Sequence, residues 1–389
     1  MSSQQNKQKD VVNKQMIFAL NPKQDFNLGD PIKINKANSY DPTSMKNEPL
    51  QKPINQISNS NMGTFQDKDQ SKQTNEAKNQ KKQNKIKYIA TRSIAGLKAY
   101  TKAQKDNQDS LFYKLEINKQ ADKNLFLLAD GHGEQGAKVS QYAIKQLSDC
   151  IYDMIESMNT QPKFVEQLNS NIITTFQKIE SNIVNLSNID TTDSGTTMNM
   201  VLTFENYLIS ANIGDTRTFY FQRSDKPDQL GPVTLRIKQL SNQHTPEKEI
   251  ESQRILESGG KIEQDTQGFQ KTGPLKVKSK KQDIKGVTIT RSFGDIQAKQ
   301  VGIISLPDIH TFQIQQEGFL VLATGSILDM IDIIDICRIL TPITPPNSQA
   351  AIENAAGQIV EEARKKAKLQ PDIQDDYSLI LVYIEIDLA

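Results

Sequence analysis

Apolar positions along this chain follow two rhythms, one of strands and one of helices, after a long opening stretch that follows neither. From about residue 88, β-rich runs predict strands at Tyr88–Arg92, Ser110–Ile117 and Asn124–Ala129, the last reading Leu-Phe-Leu-Leu-Ala at its end. Two amphipathic helices come next. One gathers Val139, Tyr142, Ala143, Leu147, Cys150, Ile151, Met154 and Ile155 on a single face. The other does the same with Phe164, Leu168, Ile172, Phe176, Ile179, Ile183 and Leu186. Strands return at Met198–Phe204, Tyr207–Asn212, Thr218–Gln222 and Val233–Gln239. A shorter helix is predicted over Pro246–Glu257, with Thr245 as its N-cap and Gly259-Gly260 as its stop. Strand Phe319–Ala323, helical patterns at Leu328–Leu340 and Asn347–Lys366, and a last strand, Ser378–Ile386, close the pattern. Strands in runs and helices in pairs predict an α+β fold with helices covering antiparallel sheets, rather than alternating βαβ units.

Charge sharpens the division of the 389 residues. Residues 1–88 hold 15 Lys, no Arg and 8 acids, a net of +7, so the remainder carries −6 beneath a formal total of +1. Gln, Asn, Lys and Ser dominate that first part, and its apolar residues form small islands such as Met16–Leu20. Such a composition buries too little apolar surface to offset chain entropy, so residues 1–87 are predicted to be a disordered tail and residues 88–389 the folded domain. Lys81, Lys82, Lys85 and Lys87 end the tail as a solvated linker or as a docking site for an acidic partner.

Two cysteines, Cys150 and Cys337, and three histidines, His132, His244 and His310, give neither zinc spacing nor a disulfide framework. Any metal here must be held by carboxylates, which favours a hard cation such as Mg²⁺ or Mn²⁺. No stretch approaches the roughly 18–20 apolar residues of a membrane helix. The polar opening MSSQQNKQKD lacks the apolar segment of a secretory signal, so an intracellular protein, cytoplasmic or nuclear, is expected.

Chemistry concentrates first at Leu127-Leu128-Ala129-Asp130-Gly131-His132-Gly133, where an apolar strand delivers an Asp and a His into a Gly-rich turn. Further segments follow in order: Asn107–Ser110, Ser194–Thr197, Ala211–Arg217, Thr290–Asp295, Leu306–Ile309 and Asp375–Ser378. The series resembles the metal-dependent type 2C protein Ser/Thr phosphatases, the PPM family, from about Tyr88 to Ile386. The resemblance implies a four-layer sandwich, two antiparallel β-sheets flanked by antiparallel helix pairs, with two Mn²⁺ or Mg²⁺ ions at one edge. Water activated there attacks a phosphoserine or phosphothreonine, and a His protonates the departing alkoxide. Matched position by position, Asp130 is implied as the bridging metal ligand, the Gly131 carbonyl as a ligand of one ion and Asp375 as a ligand of the other. His132 becomes the general acid, and Asp109 the second acid of an early pair that acts directly or through water. Asp215 and Asp329 match acids that in some members hold a weaker third ion.

Several positions depart from the family pattern. Its usual Ala-Ser-Asp-Gly turn reads Ala323-Thr324-Gly325-Ser326 here, so Gly325 stands where a metal-ligating Asp is expected. Gln108 replaces a frequent Glu, and the phosphate-gripping Arg has only Gln104 and Lys105 as candidates, of which Lys105 carries charge. Fewer or weaker metal ions are therefore expected, with weak or lost activity, and Gly325→Asp is expected to repair the site. The Lys-rich stretch 276–285 reads as a solvated loop or a docking flap, and His244 as structural. Two function classes remain: a protein retaining this fold to bind phosphoproteins or a protein partner, and an active Mn/Mg-dependent phosphatase acting on them. The net acidic folded part argues against nucleic acid.

Overall fold

Leu125, Leu127 and Ala129 point to one side of their strand, Phe126 and Leu128 to the other, and all five are buried. A strand covered on both faces has no solvent side, which is why its sequence is apolar at consecutive positions. The same holds for Gly318–Ala323, whose Phe319, Val321 and Ala323 join one core while Leu320 and Leu322 join another. These strands lie at the centres of two sheets. The structure, a computed structural model, describes residues 17–18, 82–97, 103–158, 164–224, 234–267, 270–279, 286–368 and 375–388.

The first sheet is six-stranded and antiparallel, in the order Ile17–Phe18, Ser110–Lys114, Asn124–Ala129, Met198–Phe204, Tyr207–Ile213, Asp308–Gln313. The second has five antiparallel strands, in the order Thr234–Gln239, Arg217–Ser224, Gly318–Ala323, Tyr377–Leu388, Lys82–Ile94. Three cores tie the layers together. Phe112, Leu127, Met200 and Ile209 pack with Val139, Leu147, Ile172 and Phe176 of helices Gly136–Met158 and Phe164–Val184. Leu111, Phe126 and Val201 meet Leu320, Ile380 and Val382 between the sheets. Phe319, Leu379 and Tyr383 pack with Ile336, Ile352 and Ile359 of helices Ile333–Leu340 and Gln349–Ala367. Helices, sheet, sheet and helices follow in that order, as the resemblance implied.

Local differences from the sequence reading have physical causes. The strand expected at Tyr88–Arg92 runs from Lys82 to Ile94, so Lys82, Lys85 and Lys87 belong to the sheet, where Lys87 is paired with Glu385. Except for residues 82–87 and Ile17–Phe18, the expected tail lies outside the described residues. The helix expected from Pro246 starts at Glu249 instead; residues 245–248 form a turn closed by the Lys248 amide on the Thr245 carbonyl at 3.0 Å. The pattern at Leu328–Leu340 splits because Asp332 accepts from the Ile334 amide at 2.9 Å and starts a new helix, Ile333–Leu340. Strand Asp308–Gln313 and the hairpin Gly260–Gln267/Gln270–Ser279 are largely polar and gave no strand signal in sequence. Among the described residues, no helix is long and apolar enough to cross a membrane.

Candidate active site

Register gathers the candidate acids. Ser110 pairs with Ala129 in the first sheet, so Asp109 and Asp130 emerge side by side from neighbouring strand ends. In the second sheet Ala323 pairs with both Arg217 and Leu379, which brings Asp215, Gly325 and Asp375 to one end. Asp130, His132, Asp215, Asp295, Asp375 and Lys276 are among the residues lining a shared open pocket of about 360 Å³.

The Asp130 turn is held from several sides. Its amide donates to Thr197 Oγ1 at 2.9 Å, and its carbonyl accepts from the Thr197 amide at 2.9 Å and the Thr196 hydroxyl at 3.0 Å. Gly131 is needed for close approach: a Cβ there would lie 2.5 Å from both the Gln108 and the Gly136 carbonyl oxygens. Gln108, standing where the family often has Glu, donates through Nε2 to the Gly133 carbonyl at 2.6 Å. An ionised Glu has no proton for that bond.

His132 has a partner the sequence reading did not assign. Its Nε2 lies 2.8 Å from Asp295 Oδ2 and 3.0 Å from Oδ1, and the Ser292 hydroxyl donates to Oδ2 at 2.5 Å. Burial works against a charged imidazolium, but the charge and hydrogen bond of Asp295 outweigh it and hold the His132 pKa above its ordinary value. Burial likewise pushes Asp295 up, yet His132 and Ser292 hold that carboxyl below the usual range. Asp295 adopts a left-handed backbone, φ 53°, and its carboxylate presses against Gly195, where a Cβ could not fit. The available signal was its place in the Thr290–Asp295 segment.

The acids facing one another are not neutralised. Both oxygens of Asp109 are buried without a hydrogen-bond partner. The Ser378 hydroxyl nearby favours the charged form but donates to Ser93 at 2.8 Å. Burial first, then the charge of Asp376, pushes Asp109 well up. Burial, then Asp109, Asp375 and Asp215, does the same to Asp130. Asp215 is pushed up to about 6 by burial and by Asp329. Among the described residues, no three His, Cys, Asp or Glu side chains already stand at metal-ligand spacing. Hard oxygen donors with an orphaned buried carboxylate among them nevertheless suit a divalent Mg²⁺ or Mn²⁺, whose charge would offset the repulsion.

Other candidates are engaged elsewhere. Lys105 Nζ sits 3.1 Å from Asp375 Oδ1 and 3.2 Å from Asp376 Oδ2, and Lys105 is not among the pocket-lining residues. Asp376 also accepts from the Gly96 and Gln108 amides at 2.8 Å each, a structural role. Asp329 is paired with Arg217 at 2.7 Å. Gly325 opens a one-turn helix, Gly325–Leu328, and its backbone lies outside the left-handed region. A Cβ at 325 would lie 2.7 Å from Asp215 Oδ2, the end of a side chain, so an Asp there requires the Asp215 carboxylate to shift. Lys276 reaches the pocket from the hairpin and is paired with Asp265; residues 280–285 of the Lys-rich stretch lie outside the described residues. His244 Nε2 lies 3.1 Å from Asp308 Oδ2, within a buried ionic network away from the pocket.

Comparison with known proteins bears on all of this. The family model of protein phosphatase 2C matches residues 95–368. Over 275 residues the chain is 27% identical to Probable protein phosphatase 2C 72 of Arabidopsis thaliana, covering 68% of this chain and 77% of that protein. Serine-threonine phosphatase 2C from Toxoplasma gondii superposes with a TM-score of 0.62 at 14% identity, covering 78% of this chain and 98% of that one. A C. elegans sex determining protein gives 0.56 at 16% identity, covering 77% and 65%. At such identities the structural likeness speaks for the fold alone. The family match, however, spans well over half the chain, including Asp109, Asp130 and Asp215, and ends before Asp375. This chain belongs to the protein phosphatase 2C family.

Proposed function

We propose that this chain hydrolyses phosphoserine and phosphothreonine esters of proteins with the help of Mn²⁺ or Mg²⁺. Phosphatases of its family act on phosphoproteins and generally depend on these metals. The observation that carries the reading is the His132–Asp295 pair, 2.8 Å apart, on the same pocket as Asp130, Asp215 and Asp375. Ester hydrolysis must deliver a proton to the departing alkoxide, and an imidazolium held above its ordinary pKa carries one near neutral pH. With Nε2 engaged by Asp295, Nδ1 is the nitrogen left to give it up.

Asp130, the Gly131 carbonyl and Asp375 would hold the metal. When bound, Mg²⁺ or Mn²⁺ lowers the pKa of water and neutralises phosphoryl charge. Asp109, buried beside Asp130 and not itself lining the pocket, would act on the attacking water through a bound ion rather than by direct contact. Lys276 presents a positive charge to a phosphate entering the pocket, while Lys105 remains committed to Asp375 and Asp376.

A second reading, a binding protein with weak or lost turnover, is favoured by one observation: residue 325 contributes no carboxylate. Hydrolysis of a phosphoserine peptide by the purified full chain, in Mn²⁺ and then in EDTA, separates the two. Metal-dependent turnover that disappears in His132→Ala supports the enzyme. A folded, Mn²⁺-loaded chain that binds the peptide without turning it over supports the second reading.

A further inference from the structure

We propose that Glu180, on helix Phe164–Val184, is a positioning residue for proton delivery. It holds the Ser292–Asp295 turn from behind, so that Asp295 keeps His132 aimed at the leaving oxygen; this rests on the phosphatase reading above. The starting observation is a largely buried carboxylate that does not line the pocket. The Glu180 side chain is 17% exposed, and a charge so withdrawn from water is costly unless it is paired. Its partners are the Gly294 amide, which donates to Oε2 at 3.1 Å, and Lys299 Nζ, 3.3 Å from Oε1. Lys299 in turn donates to the Ser292 carbonyl at 2.5 Å. Together Glu180 and Lys299 grip the turn at the Ser292 carbonyl and the Gly294 amide.

That turn needs holding. Gly294 and Asp295 are both left-handed, φ 78° and 53°, and a residue other than glycine reaches that region only at a conformational cost. Yet Asp295 must stay there to meet His132 Nε2 at 2.8 Å. Short two-residue strands link the pair: Gly131–His132 lies beside Gly195–Thr196, which lies beside Phe293–Gly294. Strands this short have few ladder bonds to fix them, and Phe293–Gly294 is at an edge. Helix Phe164–Val184 braces that edge at two points one turn apart. Phe176 packs on Phe293 with ring centroids 5.3 Å apart, and Glu180, four residues on, takes the Gly294 amide. The aromatic contact sets the distance of the strand, and the hydrogen bond sets the orientation of the peptide just before Asp295. Orientation matters because the serine oxygen takes its proton as the P–O bond breaks and leaves its electron pair there. A misplacement of about 1 Å can cost such a step roughly 100-fold.

Two substrates separate positioning from stability. Phosphoserine leaves as an alkoxide that needs a proton, whereas p-nitrophenyl phosphate leaves as a phenolate that does not. The assays use the full chain at saturating Mn²⁺, with His132→Ala as reference and circular dichroism confirming that each variant folds. Glu180→Ala is expected to lower kcat for a phosphoserine peptide about tenfold, part of what a general acid contributes. KM, Mn²⁺ affinity by calorimetry and the p-nitrophenyl phosphate rate are expected to stay within about twofold, since none of them depends on that proton. Glu180→Gln keeps an oxygen for the Gly294 amide and is expected to recover most of the loss. Equal losses on both substrates, or none on either, while His132→Ala is selective for the peptide, overturn the positioning role and leave the phosphatase reading standing. So does Glu180→Gln as slow as Glu180→Ala. His132→Ala losing both substrates equally overturns the role together with the proton delivery it serves. A chain that hydrolyses neither substrate overturns the phosphatase reading as well. Should Glu180→Ala fail to fold, Glu180→Met, which fills the space without an accepting oxygen, carries the same expectation and the same refutation.

Discussion

Two clusters of charged side chains in this domain behave in opposite ways. Around Glu251 every charge has a counterpart: Arg291 Nη2 lies 2.6 Å from Glu251 and its Nη1 2.8 Å from Asp308, while Arg254 adds a bond to Glu251 at 2.7 Å. Burial alone would raise the Glu251 pKa, yet hydrogen bonds from Arg254, Arg291 and Thr290 bring it down to about 2. At and beneath the pocket, Asp109, Asp130 and Asp215 are all pushed up, because burial and repulsion from neighbouring acids act together with too little positive charge to oppose them. One cluster is complete and holds the fold. The other lacks offsetting positive charge of its own, which is what the proposed divalent cation would supply.

Removing a charge should therefore have opposite consequences in the two places. The largest effect is expected at the pocket in the working state: Asp130→Asn should lower Mn²⁺-dependent phosphopeptide turnover by about 100-fold or more, the upper end of losses for outer partners of a metal site. Steady-state kinetics at saturating Mn²⁺ reads this.

Stability comes next. Glu251 has its pKa lowered in the fold from 4.5 to about 2, so its contribution is fully present above 4.5 and lost as pH falls through about 2. Glu251→Gln should cost about 3 kcal/mol at pH 7, with the difference from the unmodified chain shrinking between about pH 5 and pH 2. Asp215 runs the other way. Its folded pKa is raised from 3.8 to about 6, so in metal-free protein its charge weakens the fold as pH rises through about 6. In EDTA at pH 7.5, Asp215→Asn should raise the melting temperature by a few degrees. Thermal melts across pH check both signs, and a destabilised Asp215→Asn would break the contrast.

Smaller effects sharpen the pocket's chemistry. Asp295→Asn should lower kcat at least about tenfold and move the alkaline limb of the pH–rate profile to lower pH. The reasoning is direct: His132 works protonated, and Asp295 is what holds its pKa up. Lys276→Ala should raise KM for a phosphopeptide by about tenfold or more, the size of one hydrogen bond to a charged group, with Mn²⁺ affinity unchanged and Lys276→Arg largely restored.

Much of this arrangement was legible in the sequence because its acids stand at the ends of apolar runs. Ala129-Asp130-Gly131-His132 and Asp375-Asp376-Tyr377-Ser378 announce both a strand and what the strand carries. Asp295 was harder, since its contact with His132 crosses 163 positions of chain. It depends besides on a glycine, Gly195, in a third segment. Lys276 was read as part of a solvated loop or docking flap and not as strand, because the polar hairpin that carries it lacks the alternation that marks a half-buried sheet. Gly325 was visible as a loss, but only coordinates reveal that Asp215 lies against it. Spacing along a chain does not report distance across it.

Melting of the unmodified full chain with millimolar Mn²⁺ and then with EDTA tests the central contrast most directly. Stabilisation by a ligand that binds only the folded state grows with its concentration over Kd, about 2.7 kcal/mol at 100 times Kd. An acid cluster lacking only its cation predicts a melting temperature several degrees higher in Mn²⁺, fully reversed by EDTA, and a rise absent in Asp130→Asn. A melting temperature identical in Mn²⁺ and EDTA would contradict it.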